Sequence, residues 1–160
     1  MGSEKIINIK PCKKVVTKHI DGTLNGWLLE VQSDRDGVTK NLVGNIYLTV
    51  VDSGAVKGYH IHALASYHVT CLKGTVRSTV YTDRTHKETV KMGDDDFKTL
   101  IYPPGCAHLI ENIDEGPAYV LIYRYPAWNP EVHEQFDIAP EEIDTEEAWE
   151  KIKNFISQFR

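Results

Sequence analysis

The chain has 160 residues, a formal net charge of −5 at pH 7 and 41% hydrophobic residues. That length suits one domain with a core of its own. The negative balance argues against a general binder of nucleic acid or anionic membrane, and no apolar run approaches membrane-spanning length.

The start, Lys5 to Val16, is strand-like. Asp21-Gly22 and Asn25-Gly26 are turn signals ahead of a strand at Trp27–Val31, which Asp36-Gly37 closes. Asn45–Val51 alternates, with Ile46, Leu48 and Val50 on one face and Tyr47, Thr49 and Val51 on the other. Asp52-Ser53-Gly54 breaks it. His60 and His62 follow two residues apart, so on a strand both rings point to one face and can serve one ligand. Tyr67–Leu72 predicts a strand, Lys73-Gly74 a tight turn, and the β-branched run Thr75–Thr82 its partner. Thr99–Tyr102 ends at Pro103-Pro104-Gly105, a turn that delivers His108 from a second strand. Ala118–Tyr123 is a nearly continuous apolar run, the pattern of a strand buried on both faces. Trp128 to Asp144 is acidic and punctuated by proline, and reads as an extended connection.

Only the end changes character. Asp144 or Thr145 can cap a helix, with Glu147 in its first turn. Ala148, Trp149, Ile152, Phe155, Ile156 and Phe159 recur at helical spacing. The expectation is an all-β barrel over residues 1–140, with an amphipathic helix over 141–160 packing on the barrel or on a partner subunit.

Other residues read as structural. His68 points away from Tyr67, His19, His86 and His133 lie in polar stretches, and Asp94-Asp95-Asp96 is a loop facing water. The three cysteines, Cys12, Cys71 and Cys106, form no CxxC pair, and Cys71 and Cys106 read as small buried apolar groups. With no apolar signal region at the start, the expectation is a reduced, cytoplasmic protein.

Gly54, His60, His62 and Gly74 fall on the first motif of the cupin superfamily, and Pro103, Gly105, His108 and Asn112 on its second. The chain resembles that family over about residues 44 to 126, which implies a jelly-roll β-barrel. Tyr67 stands where cupins carry a metal-binding glutamate. A neutral phenol is a poor ligand for hard cations. The alternative the resemblance leaves open is a three-histidine site, His60, His62 and His108, holding a divalent Fe, Ni, Zn or Mn in a dioxygenase-like enzyme.

Within the cupins, Lys57-Gly58-Tyr59-His60, Tyr81-Thr82-Asp83-Arg84, Pro104-Gly105-Cys106-Ala107-His108 and Tyr123-Arg124-Tyr125-Pro126 resemble the dTDP-4-dehydrorhamnose 3,5-epimerases. That likeness implies a cofactor-free epimerase of a nucleotide-diphospho-4-keto-6-deoxy sugar. His60 would be the base and Tyr123, or Tyr125, the acid. Lys57 would lie near the phosphates, with Tyr67, His108 and Tyr125 around the substrate. It also implies a homodimer that exchanges N-terminal strands. Lys57-Gly58-Tyr59-His60-Ile61-His62, with Gly74, also resembles sugar 3,4-ketoisomerases, a second likeness in which His60 and His62 would both shuttle protons through an enediol. A non-catalytic sugar-binding cupin is the third reading.

Overall fold

The computed structural model describes residues 13–36 and 43–160. Cys12, most of the strand-like start and the Asp36-Gly37 turn's glycine lie outside the described residues. The strands are β1 (Lys13–Lys18), β2 (Leu24–Ser33), β3 (Asn45–Val51), β4 (Val56–His62), β5 (Ser66–Lys73), β6 (Thr75–Asp83), β7 (His86–Gly93), β8 (Thr99–Tyr102), β9 (Ala107–Asn112), β10 (Ala118–Tyr125) and β11 (Gln135–Asp137), followed by helix α1 (Glu146–Ser157). They form two antiparallel sheets, β1-β2-β3-β10-β5-β8 and β11-β4-β9-β6-β7. Most strands and the helix stand where the residue pattern places them, with one correction and two additions. β2 begins at Leu24, so Asn25-Gly26, expected as a turn, lies inside the strand, where Gly26 pairs with Thr17 and Val51. β7 is polar and largely exposed at a sheet edge, and β11 is only three residues long, so neither carries an apolar alternation.

Alternation along the strands of the five-stranded sheet separates two cores. Val51, Val69, Val76, Val120 and Ile122 meet between the sheets. Tyr59, Ile61, Ala107 and Leu109 project from the other face of the five-stranded sheet, where Ile138, Ile143, Ala148, Trp149 and Ile152 cover them. Thr145 caps α1 by accepting the Ala148 N–H at 3.2 Å, and Glu146 and Glu147 favour its positive end. Trp149 donates its indole N–H to the Ile143 carbonyl at 2.7 Å, so its bulk is buried with its polar atom satisfied. Removing that side chain would cost about 3–5 kcal/mol.

β10 departs from expectation. Ala118, Val120, Ile122 and Arg124 are buried, whereas Tyr119, Leu121 and Tyr123 are only half-buried. It has one inward face, and Arg124 is on it.

Asn112, which ends the second histidine motif, is fully buried and structural. Its Nδ2 donates to the carbonyls of Val51, Asp52 and Gly116 at 2.8 to 3.1 Å, pinning the β9–β10 turn. Cys71 and Cys106 are free and buried. Among the described residues no helix is long and apolar enough to cross a membrane.

Candidate active site

A cavity of about 290 Å³ opens between the two sheets, at the low end for small-ligand sites. Lys57, His60, His62, Tyr67, Tyr102 and His108 all line it. Lys57 is three residues before His60, so a regular strand would put the two on opposite faces. The pairing of β4 with β9 shifts register between Lys57 and His60, and this bulge brings both to the cavity. Gly58 makes it possible. It has φ +121°, and a Cβ there would collide with the carbonyl oxygen of His108. Beyond the bulge, His60 lies directly opposite His108 across the two strands.

The three imidazoles converge on the cavity. Ring centroids are 6.4 Å apart for His60–His62, 6.0 Å for His60–His108 and 5.5 Å for His62–His108, the last pair stacked at 23°. Two of them rest on carboxylates from β11 and the residue before it. β11 pairs with β4 so that Gln135 faces His62 and Asp137 faces His60. Asp137 Oδ1 is 2.7 Å from His60 Nδ1, and Gln135 Nε2 donates to the same oxygen at 2.9 Å. Glu134 Oε1 is 3.1 Å from His62 Nδ1. Burial pushes both carboxyls up, but the histidine contacts outweigh it, helped by Gln135 at Asp137 and by the Leu64 N–H and Arg124 at Glu134, so both sit below the usual carboxylate range. An ionised carboxylate only accepts, so each ring keeps its proton on Nδ1 and its lone pair on Nε2.

His62 and His108 are held uncharged, chiefly by burial. At His108 the neighbouring His62 and His60 add to that effect. His108 Nδ1 is buried without a partner. Burying a bare acceptor costs less than burying an orphaned N–H, so the favoured tautomer carries its proton on Nε2 and makes His108 a neutral donor.

Lys57 is buried, and its ammonium donates to Thr49 Oγ1 at 2.8 Å and to the Trp27 carbonyl at 3.3 Å. Burial pulls its pKa down to about 8, with Asp52 opposing. Tyr67 is buried 4.4 Å from the His62 ring, and burial keeps its phenol protonated. Its oxygen accepts from Arg124 Nε at 2.7 Å, while the same guanidinium pairs with Glu134.

The two tyrosines expected to supply the acid are elsewhere. Tyr123 is on the outward face of β10, packs edge-on against His68 at 5.5 Å and donates to the Val43 carbonyl at 2.6 Å. Tyr125 is half-exposed at the end of β10, opposite Ser66 of β5. Neither lines the cavity. The reason is strand parity: with Ile122 and Arg124 inward, Tyr123 and Tyr125 must point away.

Sequence reading missed Glu134, Asp137 and Arg124. The acidic segment looked like a connection because its pairing with β4 is three residues long. The signal for Arg124 was present: it is in phase with Ala118, Val120 and Ile122, a charge on a buried face.

Three imidazoles would be the donors for a metal here, with carboxylates behind two of the rings as metal-bound histidines have. Three imidazoles sharing a tetrahedral ion at ~2.1 Å would hold their centroids roughly 5.3 Å apart; His62–His108 is close to that at 5.5 Å, whereas the two pairs with His60 are wider. Among the described residues, no group of three or more His, Cys, Asp or Glu side chains is arranged to hold a metal ion.

No protein-family model matches the chain, and no curated protein matches its sequence. Solved structures do match its fold. The capsular polysaccharide assembling protein CapF of Staphylococcus aureus superposes with a TM-score of 0.67 at 15% identity, covering 80% of this chain and 34% of that one. A variant of the Bacillus subtilis oxalate decarboxylase superposes with a TM-score of 0.61 at 18% identity, covering 90% of this chain and 37% of that one. This chain therefore spans about a third of the length of either. With two antiparallel sheets and a terminal helix, it has the cupin jelly-roll fold.

Proposed function

We propose that this cupin barrel is a metal-free isomerase of a nucleotide-diphospho-4-keto-6-deoxy sugar, moving the carbonyl between C4 and C3. The observation that carries it is the pair of imidazoles on one cavity wall, each with Nδ1 fixed by a carboxylate. Histidine so held presents its lone pair at Nε2, where it can act as a general base.

In this reading His60, at the accessible end, takes the proton from C3. The C–H electron pair forms the C3=C4 bond and charge settles on the C4 oxygen. His108 and Tyr67, both neutral donors, stabilise that oxygen. The His60 imidazolium returns its proton to that oxygen, giving the enediol. His62 then takes the proton from the C3 oxygen, the C3=C4 electron pair collects a proton at C4 from the resulting His62 imidazolium, and the ketone is left at C3 with both imidazoles neutral again. Tyr123 has no part in this sequence, and its absence from the cavity favours the two-histidine shuttle over epimerisation with a tyrosine acid. Lys57 offers a cation for the diphosphate. A second chamber of about 320 Å³ shares Tyr47, Tyr67, Leu28 and Gln135 with the first and extends to Trp128, giving room for a nucleoside. That CapF assembles a capsular polysaccharide accords with a sugar substrate.

The test is incubation with dTDP-linked and other nucleotide-linked 4-keto-6-deoxy sugars in heavy water. Deuterium at C3 or C4 with a 3-keto product is expected. No uptake from any of them sinks the reading. Stoichiometric metal in untagged protein, lost in His108→Ala, would replace it with the metalloenzyme. The exposed apolar Val16, Ile20 and Leu24 on and around β1, an edge strand among the described residues, support the homodimer, which light scattering checks.

A further inference from the structure

We propose that Arg124 is a positioning residue that sets both the tautomer of His62 and the direction of the Tyr67 hydroxyl; the proposal rests on the reading of His62 and Tyr67 as working groups of the isomerase.

Arg124 is 2% exposed on the inward face of β10, where an unpartnered charge would be costly. Each arm of its guanidinium has a separate job. Nη1 donates to the Pro126 carbonyl at 2.8 Å and anchors the group to the chain leaving the strand. Nη2 pairs with Glu134 Oε1, the oxygen that also faces His62 Nδ1. Nε donates to the Tyr67 oxygen at 2.7 Å. Glu134 is completed by the Leu64 N–H on Oε2 at 3.1 Å.

The donors and acceptors close in one way. A carboxylate paired with arginine only accepts, so His62 must donate from Nδ1, which leaves a lone pair on Nε2. Tyr67 lies 3.3 Å from that same Nδ1. Because Nδ1 already carries a proton, Tyr67 cannot donate to it. Its oxygen receives the Arg124 N–H, and its own proton is left for the neighbouring Tyr47 oxygen or for an oxygen in the cavity that both rings line. Without the guanidinium, Glu134 is no longer confined to accepting and Tyr67 loses the bond that orients it. His60, His108 and Tyr47 also face this cluster but make no contact with Glu134 that would replace Arg124.

The experiment is ¹⁵N NMR of the histidine rings in the intact protein without substrate, with the His62 signals assigned by their loss in His62→Gln. Wild type should show His62 protonated on Nδ1 alone. Arg124→Gln should populate the Nε2-protonated form and lower kcat about 10–100-fold with KM little changed. Arg124→Lys keeps a cation for Glu134 without the fork to Tyr67. It should restore the Nδ1 tautomer but not the full rate. Should Arg124→Gln fail to fold, the double variant Arg124→Gln/Glu134→Gln removes both charges and should show mixed tautomers. A folded variant lacking Arg124 whose His62 stays protonated on Nδ1 alone overturns the proposal, whatever its rate. Absence of turnover in wild type with the expected tautomers counts against the isomerase reading and not against this one.

Discussion

His60 and His62 stand two residues apart on β4, each with Nδ1 against a carboxylate from one short stretch of chain, yet their surroundings differ. The side chains of His60 and Asp137 are 33% and 43% exposed; those of His62 and Glu134 are 5% and 6% exposed. Water reaches the first pair. The second pair is closed off and tied to Arg124 and Tyr67, and burial disfavours a charged His62. The same two chemical groups thus suit a primary base at the rim and a fixed relay inside.

The comparison breaks most readily at His60. His60→Asn should cut turnover by about 10²–10⁴-fold, the usual worth of a general base, with melting temperature nearly unchanged. Deuterium uptake checks it, and equal loss in His60→Asn and His62→Asn with no other difference would erase the distinction between the two rings. The carboxylates sharpen it next. Glu134→Ala leaves Arg124 charged and buried without its partner, at a cost of ~3–5 kcal/mol, or a melting temperature lower by roughly 10 °C. Asp137→Asn should cost under about 1 kcal/mol, since that pair is exposed, while slowing turnover about 10–100-fold through loss of ring orientation. Both carboxyls are held below their ordinary values. Their contribution to stability is therefore complete above the unfolded-state values of 4.5 for Glu134 and 3.8 for Asp137, and is lost as pH falls through the lower folded ones. Glu134→Gln should flatten that acid limb more than Asp137→Asn.

Lys57 adds a smaller effect at the opposite end of the pH range. With its pKa pulled down to about 8, its charge opposes folding below that value, and the penalty is relieved as pH rises from about 8 towards 10.5. Attraction for a phosphate goes the other way. Affinity for dTDP, measured by calorimetry, should fall by up to about tenfold between pH 7 and 9, and Lys57→Met should abolish that dependence.

The barrel was legible because its strands carry strong local signals. Asn45–Val51 alternates, Gly74 and Gly105 supply turns at φ 79° and 84°, and His60, His62 and His108 fall on two recognisable motifs. The carboxylates were not legible, because Glu134 and Asp137 reach the histidines only through a three-residue pairing more than seventy positions away in the chain. Nor does local alternation announce a bulge. Lys57 faces the cavity only because β4 changes register at Gly58, a matter decided by its neighbour β9.

β10 shows the opposite failure, a run whose apolar residues hid its parity. Tyr119, Leu121 and Tyr123 are half-buried on the outer face, so the apolar pattern looked two-sided while the buried set was Ala118, Val120, Ile122 and Arg124. This yields the smallest predicted effect. Tyr123→Phe removes one hydrogen bond to the Val43 carbonyl and keeps the ring against His68. Stability should drop by about 1 kcal/mol, and deuterium uptake should be unchanged. A rate loss like that of His60→Asn would place Tyr123 in the chemistry after all, and would require β10 to present its other face to the cavity. That shift of one residue would also turn Arg124 out into water and undo its bonds to Tyr67 and Glu134.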